Sequence, residues 1–150
     1  TTIQAVARLK PALQRTAWKC AATLAAIPIA HHPDCHDGVA IRDLIADADA
    51  EPTVPHLMNP AAAIAEVSRC RVVVTGSYHA AVFALAQGIP VVALVSSPYY
   101  EQKFTGLAEL FGDGCTLVPL DVSADEGLSL DDAEWLWDWA DVGTVVTIHG

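Results

Sequence analysis

Two kinds of apolar spacing alternate along the middle of the chain. Val72-Val73-Val74-Thr75 is a continuous apolar run closed by Gly76, the pattern of a strand buried on both faces. Tyr78 to Gln87 is rich in Ala and Leu and predicts a helix, and Gly88 stands where a left-handed cap belongs. Pro90 opens a second buried run, Val91 to Val95. Pro98 to Phe111 predicts another helix, with Phe104, Leu107, Leu110 and Phe111 on one stripe and Gly112 at its end. Cys115 to Leu120 predicts a third strand. Strand, helix, strand, helix, strand in this order implies parallel strands joined by right-handed crossovers.

The flanks extend the alternation. Thr53 to Met58 predicts a strand, and Asn59 caps a helix from Ala61 to Arg69 with Pro60 at its first position. Asp37 to Ala48 predicts a helix, and Ile27 to Ala30 ends a strand just before the His31–Asp37 loop. Ile3 to Leu9 fits either an opening strand or a helix, with Pro11 at the start of a following helix. Ser129 to Asp141 predicts a tail helix with Ser129 as its cap and acidic residues in its first turn. No internal repeat or linker interrupts residues 1–150, so one α/β domain is expected. Its architecture should be a three-layer, Rossmann-like parallel sheet of about five strands with helices on both faces.

Composition narrows the function more than the fold. Hydrophobic residues make up 53% and charged residues 17%, which excludes a disordered chain. Eight basic residues against 18 acidic ones give a formal charge of −10. That excludes a broad nucleic-acid or anionic-membrane surface, yet a small anion needs only a few local donors. The four cysteines, Cys20, Cys35, Cys70 and Cys115, form no C-x-x-C pair, which argues against a zinc ribbon or redox dithiol and suits a reducing, cytoplasmic setting. The most apolar stretch, Ala80 to Val95, is broken by Gln87, Gly88 and Pro90, so no membrane span is expected. The chain begins at Thr1 rather than Met, so the expectation is a piece of a longer protein whose N-terminal domain is missing.

Candidate chemistry gathers where strands hand over to helices. Thr75-Gly76-Ser77 places backbone N–H groups and two hydroxyls at a helix start, a setting that attracts phosphate or carboxylate. It also lies at the carboxyl end of a parallel strand, where open α/β sheets bind ligands. His79, in the first helical turn, is placed to exchange a proton with a bound ligand. The plainer alternative is that Gly76 serves the turn, Ser77 the cap and His79 the packing. Lys103 follows the second strand and the hydroxyls of Ser96 and Ser97, with Tyr99 and Tyr100 nearby. It suits an anion, or equally a solvated helix whose lysine stem covers Phe104. His31-His32-Pro33-Asp34-Cys35-His36-Asp37 contains every common metal-ligand type, but crowded along one loop, so no metal site is expected there. It reads instead as a polar rim or surface loop from which His36 or Asp37 could reach substrate. Trp135 and Trp139, four apart, most simply pack one helix face onto the sheet, while Trp137 points elsewhere.

The central segment resembles the C-terminal signature of the polysaccharide pyruvyl transferase family. The family's strand, turn and helix with His-Ala, Phe-Ala-Leu-Ala and Gly-x-Pro-Val-Val is matched by His79-Ala80, Phe83-Ala84-Leu85-Ala86 and Gly88-Ile89-Pro90-Val91-Val92. Its later Tyr and Lys are matched by Tyr99, Tyr100 and Lys103. The similarity runs from about Asn59 to Phe111, and the Gly-x-Pro-Val-Val part is shared with many enzymes of the glycosyltransferase-B fold. One departure stands out: many members carry Arg two residues before the His, where this chain has Ser77. The bidentate charge such an Arg offers an anion must come from elsewhere, or the donor differs, or activity is gone.

The resemblance implies the C-terminal half of a glycosyltransferase-B-like enzyme. Its reaction would transfer the enolpyruvyl carbons of phosphoenolpyruvate, or of another small anionic donor, to two hydroxyls of a sugar or glycan as a ketal. It implies His79 as catalytic acid or base, with Gly76, Ser77, Tyr78, Ser96, Tyr100 and Lys103 binding substrate, and no cofactor. Two alternatives remain open. A nucleotide-sugar glycosyltransferase of the same fold would want a ribose-binding Glu where Phe83 stands, and Phe83 accepts no hydrogen bond. A degenerate, non-catalytic binding domain is compatible with Ser77 in place of Arg.

Overall fold

The computed structural model describes residues 2–27, 60–95, 97–120 and 146–149. Its elements run α1 (Thr2–Lys19), β1 (Leu24–Ala26), α2 (Pro60–Val67), β2 (Val72–Thr75), α3 (Tyr78–Leu85), β3 (Val91–Val95), α4 (Pro98–Phe111), β4 (Cys115–Pro119) and β5 (Val146–His149). The strands form one five-stranded sheet in the order β1-β5-β2-β3-β4. Every neighbouring pair is parallel. From β2 the chain steps outward through β3 to β4, crossing over through α3 and then α4.

The unbroken apolar runs follow from coverage on both faces. Val72, Val74, Val92 and Leu94 turn to one side, where they pack with Leu9, Leu13, Ala17 and Cys20 at the end of α1. Val73, Val91, Ala93 and Val95 turn to the other, where they meet Val67 of α2, Ala81 and Ala84 of α3, and Phe104 and Leu107 of α4. A period of two carries alternate residues into two different cores, so the strands are apolar on both faces except where the buried Thr75 ends β2. The result is three layers: helix, sheet, helices. Among the described residues no helix is long and apolar enough to cross a membrane.

The predicted boundaries of β2, β3 and α4 coincide with the observed ones. The helix predicted over Tyr78 to Gln87 ends at Leu85 and passes through a turn. There Gly88 adopts φ +73°. Its N–H donates to the Leu85 carbonyl and that of Ile89 to the Ala84 carbonyl, the two bonds of a Schellman motif. The third predicted strand closes one residue early, at Pro119, and the helix after Pro60 ends at Val67 rather than Arg69.

Some features differ from expectation. Residues 2–19 are one helix with Pro11 inside it, not two elements divided at the proline. Leu9, Leu13, Ala17 and Cys20 recur at helical spacing on the buried side, while Pro11 faces solvent, so burial outweighs the lost hydrogen bond. β1 is Leu24–Ala26 and Ile27 follows it outside the strand, while the rest of the expected Ile27 to Ala30, residues 28–30, lies outside the described residues. In α4 only Phe104 and Leu107 are buried, whereas Leu110 is 75% exposed. At 3.6 residues per turn Leu110 lies about 120° around the helix from Phe104, too far to share its stripe. Finally, β5 is a strand that the sequence pattern did not announce. The expected elements at Asp37 to Ala48, Thr53 to Met58 and Ser129 to Asp141 lie outside the described residues, as do the cap Asn59 and the His31–Asp37 loop.

Candidate functional site

Two strand-to-helix turns stand side by side at the carboxyl edge of the sheet. β2 and β3 are paired in register, with Thr75 opposite Ala93, and each leads into a helix capped by serine. The Ser77 hydroxyl accepts from the Ala80 N–H and the Ser97 hydroxyl from the Tyr100 N–H, both at 3.4 Å. Repeating one local solution on adjacent strands aims two helix N-termini at the same edge. The first N–H groups of each helix have no acceptor within it, so their partial positive charges add there.

The first turn is braced from below. Thr75 is fully buried, and its hydroxyl oxygen accepts from the Ser77 N–H at 2.9 Å. That N–H is therefore committed to the turn itself, while the N–H groups of Tyr78 and His79 open the helix. Gly76 runs close to β3: a methyl placed on it would meet the Leu94 carbonyl oxygen at 3.6 Å, an ordinary contact. His79 is exposed, its ring edge-on to that of Tyr78 with centroids 6.2 Å apart. It is exposed rather than enclosed by the sheet.

The second turn supplies the cation. Lys103, one turn into α4, places its ammonium 4.6 Å from the centre of the Tyr99 ring and 5.3 Å from that of Tyr78. The Tyr99 phenol, as hydrogen-bond acceptor, pushes the lysine above its ordinary value of 10.5; desolvation works against this, and the phenols of Tyr99, Tyr100 and Tyr78 reinforce it. Lys103 is thus fully protonated at any neutral pH. Tyr78 leans on the buried Phe104 ring at 6.2 Å, and Tyr100 lies 6.4 Å from the same ring. Phe104, sealed in the core, anchors the whole aromatic group.

Of the residues singled out from sequence, Gly76, Ser77, Tyr78 and His79 lie on the first turn and Tyr100 and Lys103 on the second, at the same edge. Ser96 lies outside the described residues. Tyr99, 60% exposed and stacked edge-on to Tyr100 at 5.4 Å, was singled out only as a neighbour of Lys103, yet it makes the shorter contact with the ammonium. Its position four residues before Lys103 on the helix is the signal that points to the contact. β5 ends at His149, whose Cα pairs with that of Thr75, so this strand reaches the same edge. Cys20, Cys70 and Cys115 are buried. Burial raises the Cys115 thiol above its ordinary range, and raises Cys20 against the pull of Lys19, which makes both poor nucleophiles. Among the described residues no group of three His, Cys, Asp or Glu side chains is placed to hold a metal ion.

Comparison with known families matches the chain, over residues 9–98, to the family described as polysaccharide pyruvyl transferase. The matched stretch runs from Leu9 in α1 through β3, takes in the first turn with His79, and ends at the first residue of α4, leaving Phe104, Leu107, Cys115 and Val118 of the two cores outside it. Tyr99, Tyr100 and Lys103 lie beyond it. No curated protein and no solved structure shows a significant match to the chain.

Proposed function

The chain belongs to the polysaccharide pyruvyl transferase family, and from that membership we propose that its carboxyl edge binds phosphoenolpyruvate and serves the transfer of a pyruvyl group to a sugar. The observation that carries this reading is an exposed histidine and a fully protonated lysine flanking one aromatic ring between two adjacent helix N-termini. Phosphoenolpyruvate is a compact polyanion. The N–H groups opening α3 and α4 and the Lys103 ammonium are donors suited to its phosphate and carboxylate. Lys103 takes over the charge that an arginine at position 77 would otherwise bring.

In the reaction the donor's methylene carbon gains a proton, two sugar oxygens bond to its central carbon, and phosphate leaves. The sugar hydroxyls must lose their protons. His79, exposed at the mouth, is the group on this chain placed to take one and to return it to the departing phosphate. Ser77 and Tyr100 border the anion pocket. In this reading the chain is the C-terminal half of a glycosyltransferase-B-like protein in the cytoplasm, and an N-terminal domain lines the opposite wall of the cleft for the glycan.

Calorimetric titration tests the donor. Phosphoenolpyruvate should bind the chain, with affinity falling as salt rises, and a nucleotide sugar should not. Preference for the nucleotide sugar, or binding of neither, removes the reading.

A further inference from the structure

Lys103 is held by aromatic rings. Among the described residues Lys103 forms no ion pair; its ammonium instead lies against the rings of Tyr78 and Tyr99. The difference matters for any anion. A carboxylate cancels the charge it positions, whereas an aromatic ring attracts the ammonium through its quadrupole and leaves the full unit of charge. The two rings come from different helices, Tyr78 from the start of α3 and Tyr99 from the start of α4, so their shared cation spans the gap between the two N-termini. Tyr78 is fixed in turn by Phe104, which is fully buried.

We propose that Tyr78 and Tyr99 are positioning residues, whose ring faces hold the Lys103 ammonium between α3 and α4 with its charge left free for an anionic ligand. The inference rests on the donor reading above for the ligand, and on the ring geometry alone for the clamp. A lysine on an unrestrained stem would lose side-chain entropy on gripping an anion; a lysine already held between two rings has lost much of it beforehand. The aromatic contact also links the cation on α4 to His79 on α3, because the Tyr78 ring touches both.

The chain has only three lysines, Lys10, Lys19 and Lys103, which makes a direct test simple. With carbon-13-labelled lysine, the Lys103 side-chain methylene protons should be shifted upfield by the two rings. The shift should shrink in Tyr78→Leu and in Tyr99→Leu and persist in Tyr78→Phe, while Tyr99→Phe, which keeps the ring but loses the phenol oxygen that accepts from Lys103, should shrink it only in part. With inorganic phosphate as the probe, each Leu variant should bind about two- to fivefold more weakly, the usual worth of an exposed cation–π contact. In a Lys103→Ala background the same Leu substitutions should have no further effect on phosphate binding. Tyr99 is largely exposed, so its variant reads the clamp without disturbing the core that supports Tyr78. Unshifted Lys103 protons overturn the clamp whatever the chain binds. Equal losses of phosphate affinity with and without Lys103 also overturn it, since the tyrosines would then act by themselves. Ring-shifted protons that respond to the Leu variants, in a chain that binds no phosphate, uphold the clamp and remove the donor reading instead.

Discussion

At the scale of single residues, the proposed function divides the carboxyl edge between a base, His79, and a cation, Lys103. His79 contributes little to the core from its exposed position, so His79→Ala should leave the melting temperature nearly unchanged. In an assay of pyruvyl transfer the same change should slow the chemical step by about 10²- to 10⁴-fold, the usual range for a positioned acid or base. His79→Gln should be nearly as slow while keeping donor affinity, which steady-state kinetics would show as a fall in kcat at constant KM. Lys103 carries a pH prediction. Its folded-state value lies above the ordinary 10.5, so protonation favours the folded arrangement. That contribution is complete below the ordinary value and is lost only as pH rises through the folded one. Lys103's share of phosphate binding should therefore stay flat through neutral pH and vanish in strong alkali. A fall centred near neutrality would assign the dependence to another group. Gly76 offers a steric control: Gly76→Ala meets only an ordinary contact at 3.6 Å, so stability should hold, and any loss of phosphate affinity would report crowding of the pocket.

At the scale of elements, the helix ends carry measurable energies. α1 finishes in the same motif as α3: Ala22 donates to the Ala17 carbonyl at 2.8 Å and Ala21 to that of Trp18 at 3.2 Å. The left-handed position, however, is occupied by Ala21 at φ +48°, where a Cβ is strained. Ala21→Gly should raise stability by about 1 kcal/mol, and Gly88→Ala, the reverse change at the matching place, should lower it by about as much. Thermal or urea unfolding of the pair checks both signs. Thr75→Val keeps the shape of the buried side chain but strands the Ser77 N–H that it accepts at 2.9 Å. It should cost about 1–3 kcal/mol and loosen the turn that carries His79.

At the scale of the whole molecule, the site depends on a core it does not share with ligand. Phe104 is fully buried between α4 and the sheet and supports both Tyr78 and Tyr100 from beneath. Phe104→Ala should destabilise the fold by about 3–5 kcal/mol. It should also release the aromatic group, so that phosphate affinity falls even at temperatures where the variant remains folded. The sheet order places β5 between β1 and β2, so the last described strand lies inside the sheet and the first turn lies beside it. Removing residues from 146 onward should therefore leave β1 without its described sheet partner and β2 as an edge, and abolish cooperative unfolding rather than trim a dispensable tail.

Much of this was legible in the residues alone. Strand runs of β-branched residues, serine caps and Gly88 act within a few positions of one another, so β2, β3 and α4 could be bounded from local chemistry. The same locality brought Gly76, Ser77, Tyr78 and His79 onto one turn, because their neighbours fix it. The tertiary structure decided what depends on distant partners. α1 stays continuous through Pro11 because the buried face of Leu9, Leu13 and Ala17 has strands to cover, a gain that no local propensity records. Leu110 looks like a core residue by composition and is left in solvent by the angle of its helix against the sheet. β5 is short, and only pairing on both sides makes it a strand. Lys103 is the clearest case: its spacing fits a solvated helix as well as a binding site. Only the packing of α4 beside α3 brings the Tyr78 ring against the ammonium that Tyr99 already holds from its own helix. Through-space electrostatics between two helices is set by how the sheet pairs their strands, and that is information the chain carries only once it is folded.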